Sequence, residues 1–234
     1  MADDPRAAAR ELVAGLFPQA VWAMLGGSVL TDRRTPGSDL DIVVLLPDDD
    51  PEAPQRDSRR FRGWPVELFV HDADTLEHWM AKDAAQRKPT LIRMVATGTV
   101  VAGDPGDVQR RCAERLAAGP RPATAEELDR DRYGLTDLLD DLTHATDPSE
   151  RQVVAATAWV TSAHLLLTGA AHWHGNGKWL LRELRDLDPG FAERWVAARG
   201  EPDAVEAVAG EVLDRVGGPL FEGYRAVAPR PPKG

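Results

Sequence analysis

The chain has 234 residues, 43% of them hydrophobic, enough for one large domain or two small ones with real cores, which excludes global disorder. A formal charge of −10 argues against a general nucleic-acid binder, which needs clustered Lys and Arg; it leaves plain solubility, or attraction of a cationic small molecule. Cys112 is the only cysteine, so a disulfide framework or a cysteine zinc site is excluded within one chain, a composition suited to a reducing cytoplasm. The opening Met-Ala-Asp-Asp-Pro-Arg has no basic segment followed by an apolar one, so no secretion signal is read there. Val153–Gly177 carries no Asp, Glu, Lys or Arg, but its Thr, Ser, His and Gly residues make it a buried helix with its following loop rather than a membrane span.

In chain order, Ala9, Leu12, Val13, Leu16 and Phe17 recur at helical spacing until Pro18, which predicts an opening helix over 6–17. Residues 20–25 are short and apolar and run into Gly26-Gly27, a strand ending in a turn. Residues 39–46 form a second strand, closed by Pro47 and the acidic connection 48–52, whose prolines and lack of apolar support mark it as a solvated loop. The alternation in 64–71 predicts a third strand with Glu67 inside it, followed by a helix over 74–82. Residues 88–102 read as a helix, a turn and a short edge strand. Gly119-Pro120-Arg121-Pro122 is a linker, and everything after it is helical. Thr124 and Glu127 make a capping box, and helices follow over about 150–168, 178–187, 191–198 and 203–216.

The chemistry concentrates in Gly26–Leu46. Asp39 and Asp41 are two residues apart, so on a strand they project from one face while Leu40 does not. With Glu67 on the expected neighbouring strand, three carboxylates are brought together, and burying them side by side calls for cations between them. Magnesium suits such a set, because it takes oxygen ligands, keeps waters and is shared with nucleotide phosphates. Two such ions can clamp an in-line phosphoryl displacement. The Gly27-Ser28 turn adds backbone N–H groups and a hydroxyl that can approach a phosphate, and Ser38 either does the same or simply begins the strand.

Gly27-Ser28, ten intervening residues, then Asp39-Leu40-Asp41 and an apolar strand resembles the signature of the nucleotidyltransferase superfamily with a polymerase-β-like core. Glu67 in Val-Glu-Leu-Phe falls where that family places its third carboxylate, and Lys88–Gly106 is similar to the end of the same domain in aminoglycoside nucleotidyltransferases. The resemblance implies an α+β domain with a small mixed sheet, followed by an all-α helical bundle domain. It implies transfer of AMP from ATP to a hydroxyl of a small molecule, an aminoglycoside being one candidate, with magnesium, two ions, on Asp39 and Asp41. Glu67 then joins them as a ligand or acts as general base. Gly27, Ser28 and Ser38 bind the nucleotide, and Arg33 and Arg34 face the triphosphate or are merely solvated.

The expected domains are 1–118, catalytic, and 123–229, helical, with 230–234 a mobile tail. In the helical half, His172 and His174 suggest zinc at first sight, yet the absence of a third ligand and the nearby glycines favour a loop. Lys178, after a Gly-Asn-Gly turn, is either a phosphate ligand like the helical-domain lysine of family members or a solvated side chain. Glu126–Asp141 holds seven acids against two arginines; Asp137 is taken from it as an auxiliary catalytic carboxylate, the rest as a solvated face or a wall for a cationic acceptor. The expected partners are a nucleoside triphosphate and a small hydroxylated, cationic acceptor, with neither nucleic acid nor membrane. A regulatory or antitoxin-like nucleotidyltransferase that modifies or binds a protein partner, and a catalytically silent nucleotide-binding module, stand as alternatives.

Overall fold

Alternation along one strand sets the architecture of the N-terminal unit. In the computed structural model, which describes residues 4–32 and 34–227, strand β2 (Leu40–Leu45) turns Leu40, Ile42 and Val44 to one side and Val43 and Leu45 to the other, and both sides are covered by apolar residues. A strand buried on both faces reads as a near-continuous hydrophobic run, which is why 39–46 was legible. The strand begins one residue later than its sequence indicates, so Asp39 stands just before it rather than on it.

Five strands form one mixed sheet in the order β3-β4-β2-β1-β5. β1 (Trp22–Gly26) runs antiparallel to β2 and to β5 (Thr99–Gly103), while β4 (Trp64–His71) runs parallel to β2. Helix α1 (Pro5–Leu16), capped by Asp4, lays Ala8, Ala9, Leu12 and Val13 against Ala23, Leu25, Leu40, Ile42, Val66 and Leu68. The other face, with Trp22, Met24 and Val43, is covered by α2 (Ala73–Ala85), α3 (Thr90–Thr97) and α4 (Asp107–Ala118) through Met80, Ile92, Met94, Val95 and Cys112.

Two elements escape the sequence pattern. Strand β3 (Gln55–Phe61), Gln-Arg-Asp-Ser-Arg-Arg-Phe, pairs antiparallel with β4 at the sheet edge and is mostly exposed, so its residues show no apolar alternation. It is joined to β4 by Arg62-Gly63, both at positive φ (48° and 83°), the two-residue turn whose twist matches that of flanking strands. Helix α4 buries only Cys112, too sparse a stripe to stand out.

The second unit, Pro120–Gly234, is helical over its described residues: α5 (Ala125–His144), α6 (Pro148–Gly169), α7 (Lys178–Leu187), α8 (Pro189–Ala197) and α9 (Pro202–Arg215) surround a core of Leu135, Leu142, Leu165, Leu167, Leu184, Phe191 and Val212. Thr124 and Glu127 close the expected capping box on α5. The Trp159 and Trp195 rings stack at 3.8 Å, and each indole N–H donates to the other's backbone carbonyl at 2.7 Å. Past α9 the chain lies along α5: Arg132 donates to the carbonyls of Gly217 and Gly218, the Leu220 N–H donates to Thr136, and Tyr224 stacks on Tyr133 at 4.2 Å. Among the described residues no helix is long and apolar enough to cross a membrane. Arg33 and 230–234 lie outside the described residues.

His71, at the end of β4, is buried with its Nδ1 lacking a hydrogen-bond partner, and burial pushes its pKa below the ordinary 6.5 despite the neighbouring Asp72. A base whose pKa falls on folding binds fewer protons folded than unfolded. Its contribution to stability is fully present above 6.5 and is lost as the pH falls below that value toward the folded-state pKa. Urea unfolding of the wild type and His71→Leu at several pH values between roughly pH 7.5 and pH 5 is expected to show a shallower acid-side loss in the variant. Equal slopes would mean that His71 is not the group responsible.

Candidate functional site

The strand register places the acidic residues. Asp41 is the β2 partner of Gly26 on one side and of Glu67 on the other, so glycine turn, aspartate and glutamate lie in one row across three strands. By the same alternation Asp41 and Glu67 share the sheet face of Val43 and Phe69. Neighbouring strands lie about 4.8 Å apart, which brings the two carboxylates side by side. Asp39 is two residues before Asp41, and both are partly exposed at the N-terminal end of β2.

Two glycines give the row its floor. At Gly26 a Cβ would meet the Met94 Cβ of α3 at 3.2 Å, so the bare backbone lets that helix close in. Gly27 has φ +81° and ψ −175°, a region open to glycine, and a Cβ there would overlap Asp41 Oδ2. The carboxylate therefore rests directly against the Gly27 main chain. The next residues, Ser28–Leu30, form a 3₁₀ turn, with Thr31 N–H and Oγ1 both donating to the Ser28 carbonyl. Ser28 and Ser38 are buried, their hydroxyls 3.1 Å apart, and Ser38 Oγ accepts from Thr35 N–H at 2.9 Å. Ser38 thus pins the loop between β1 and β2 to the glycine turn instead of beginning the strand.

Glu67 has a partner that the sequence did not indicate. Arg56 of β3 donates to its Oε2 at 2.6 Å, with the guanidinium 4.8 Å from the centre of the Phe69 ring. Among the described residues no three His, Cys, Asp or Glu side chains converge closely enough to hold a metal ion. Arg56 was missed because β3 was missed; a period-two row of Arg56, Ser58 and Arg60 was the available signal. Of the loop arginines, Arg33 lies outside the described residues, and Arg34 sits 4.9 Å over the Trp64 ring.

The remaining expected site residues belong to the second unit. Asp137 is exposed on α5, where several neighbouring acids are paired locally: Glu127 with Arg121, Asp129 with Arg132, Asp131 with Arg130 and Asp140 with His144. Lys178 is exposed at the first turn of α7, after Gly177 at φ +52°. The histidines lie in a loop and bond within the unit: His172 Nε2 to the buried Glu183 carboxylate at 3.1 Å, and His174 Nε2 to Thr168 Oγ1 at 3.1 Å.

Residues 10–103 match the family model described as nucleotidyltransferase domain. Among solved structures the chain is similar to a nucleotidyltransferase-like protein from Exiguobacterium sibiricum 255-15, at 12% identity and a TM-score of 0.47, over 91% of this chain and 75% of that one. No curated protein matches the chain.

Replacing Gly27 by alanine tests the contact between its main chain and Asp41. The added methyl group forces either the turn or the carboxylate to move, and the positive φ adds strain, so Gly27→Ala is expected to lose about 1–3 kcal/mol of stability. Denaturant titration reads the effect. Gly15→Ala, where a Cβ meets nothing within 4 Å, serves as the control.

Proposed function

We propose, from a chain whose residues 10–103 are a nucleotidyltransferase domain, that this protein transfers AMP from ATP to a hydroxyl of a small molecule, using magnesium at Asp39 and Asp41. The observation that carries the reading is the row Gly26–Asp41–Glu67, with Asp41 seated against the Gly27 main chain and Asp39 two residues away. The donor set fits the ion. Magnesium favours oxygen ligands and is usually held by one or two carboxylates plus substrate phosphates, so two aspartates beside a phosphate-accepting turn are enough. When bound, the ion supplies charge neutralisation for the triphosphate and lowers the pKa of a coordinated hydroxyl.

The residues of the chain divide the remaining work. The main chain at Gly27-Ser28 approaches the phosphates closely because no Cβ intervenes, and the buried Ser28–Ser38 pair keeps that turn fixed. The acceptor oxygen attacks the α-phosphorus, the new P–O bond forms as the bond to the leaving pyrophosphate breaks, and the proton of the acceptor passes to a carboxylate. Glu67, beside Asp41, is either that base or a third ligand. The −10 net charge favours a cationic, aminoglycoside-like acceptor.

Calorimetry with ATP and magnesium is expected to show binding to the wild type and at least a tenfold weaker Kd, about 1.4 kcal/mol, for an Asp39→Asn, Asp41→Asn double variant. Unchanged affinity would remove those two residues from the site. Incubation with labelled ATP and a panel of aminoglycosides should place AMP on a small molecule and release pyrophosphate; label found on protein alone rejects the small-molecule acceptor.

A further inference from the structure

Asp41 and Glu67 are cross-strand partners in the parallel β2–β4 pair, on one face, and like charges so placed repel. Strand β3 supplies a compensating cation. Ser58 is the register partner of Glu67 and Arg56 that of Phe69, so Arg56, Ser58 and Arg60 line the same face as the two acids. Arg56 reaches diagonally to Glu67 Oε2 at 2.6 Å while lying over the Phe69 ring. The carboxylate is thus bonded from the edge strand of the sheet.

We propose that Arg56 is a positioning residue that competes with a metal ion for Glu67: its guanidinium holds a Glu67 oxygen that a cation would otherwise take. This inference rests on the reading of Asp39, Asp41 and Glu67 as the metal-binding set. Both partners are charged, and a carboxylate oxygen that accepts from a guanidinium at 2.6 Å has one lone pair fewer for a cation. The pair is partly exposed, at 61% for the Arg56 side chain and 32% for Glu67, which makes it an exchangeable contact rather than a permanent buried bridge. The Phe69 ring gives the displaced guanidinium a surface to remain on.

The test is Mn2+ binding to the full chain without nucleotide, read from the electron paramagnetic resonance signal of the free ion, together with thermal unfolding with and without Mn2+. Arg56→Gln is expected to lower the Mn2+ Kd about two- to fivefold, the size of a partly exposed ion pair, to lower the metal-free Tm, and to increase the rise in Tm on adding Mn2+. Arg56→Lys should restore most of the wild-type behaviour. Arg60→Gln, which removes the same charge from the same face, should change the Kd less, and in a Glu67→Gln background Arg56→Gln should have no further effect.

Unchanged or weaker Mn2+ binding in Arg56→Gln overturns the proposal. So does a gain that persists without the Glu67 carboxylate or is matched by Arg60→Gln, since either result assigns the effect to general charge. The Asp39→Asn, Asp41→Asn variant separates the two readings. If it binds Mn2+ like the wild type, the metal site itself is misassigned; if it loses binding while Arg56→Gln changes nothing, only the role of Arg56 fails.

Discussion

The N-terminal unit depends on the register of β2. Leu40, Ile42 and Val44 are packed against the α1 side, Val43 against the α2 to α4 side, and a shift of one residue would drive Asp41 into the apolar layer formed by Leu12, Val13 and Leu25. Burying an unpaired carboxylate there costs several kcal/mol, far more than any single contact in the sheet returns. Packing and chemistry are therefore fixed by the same alternation. The hydrophobic residues choose the face, and the acid is carried to the opposite one.

Topology then distributes roles across the sheet. A parallel pair such as β2–β4 cannot be closed by a hairpin, so the chain crosses to the edge, forms β3, and returns through the Arg62-Gly63 turn. Because of that excursion the row running outward from β1 reads glycine, aspartate, glutamate and then the arginine-bearing edge strand. The Gly26-Gly27 main chain lies on the β1 side of Asp41 and the Arg56 guanidinium on the β3 side. The edge strand thus serves both as the connection that makes the parallel pair possible and as the element that controls the outermost carboxylate.

What was legible in the sequence follows from burial. β1, β2 and β4 announce themselves because each buries apolar residues, and the Asp39, Asp41 and Glu67 spacing could be read because carboxylates interrupt those runs. β3 and α4 bury almost nothing and carry no such contrast. Arg56 on Glu67 and Arg34 on Trp64 were illegible for a different reason: each depends on pairing between segments, and pairing is a property of register rather than composition. The paired hydroxyls of Ser28 and Ser38 needed the loop between them to close, which their ten-residue separation suggests only to a reader who already expects both to face one site.

The helical unit shows the opposite economy. Its most suggestive polar residues are consumed by its own fold: Glu183, buried on α7, is tolerable because His172 meets its carboxylate, Arg132 holds the backbone that follows α9, and much of the α5 acidity is matched by neighbouring arginines. The histidine pair that looks like a metal motif is thereby explained as hydrogen bonding that lets a glycine-rich loop enter α7. Asp137 and Lys178 stand exposed on separate helices. The two residues on separate helices form no motif, and the match to a nucleotidyltransferase domain falls in the N-terminal unit, on residues 10–103.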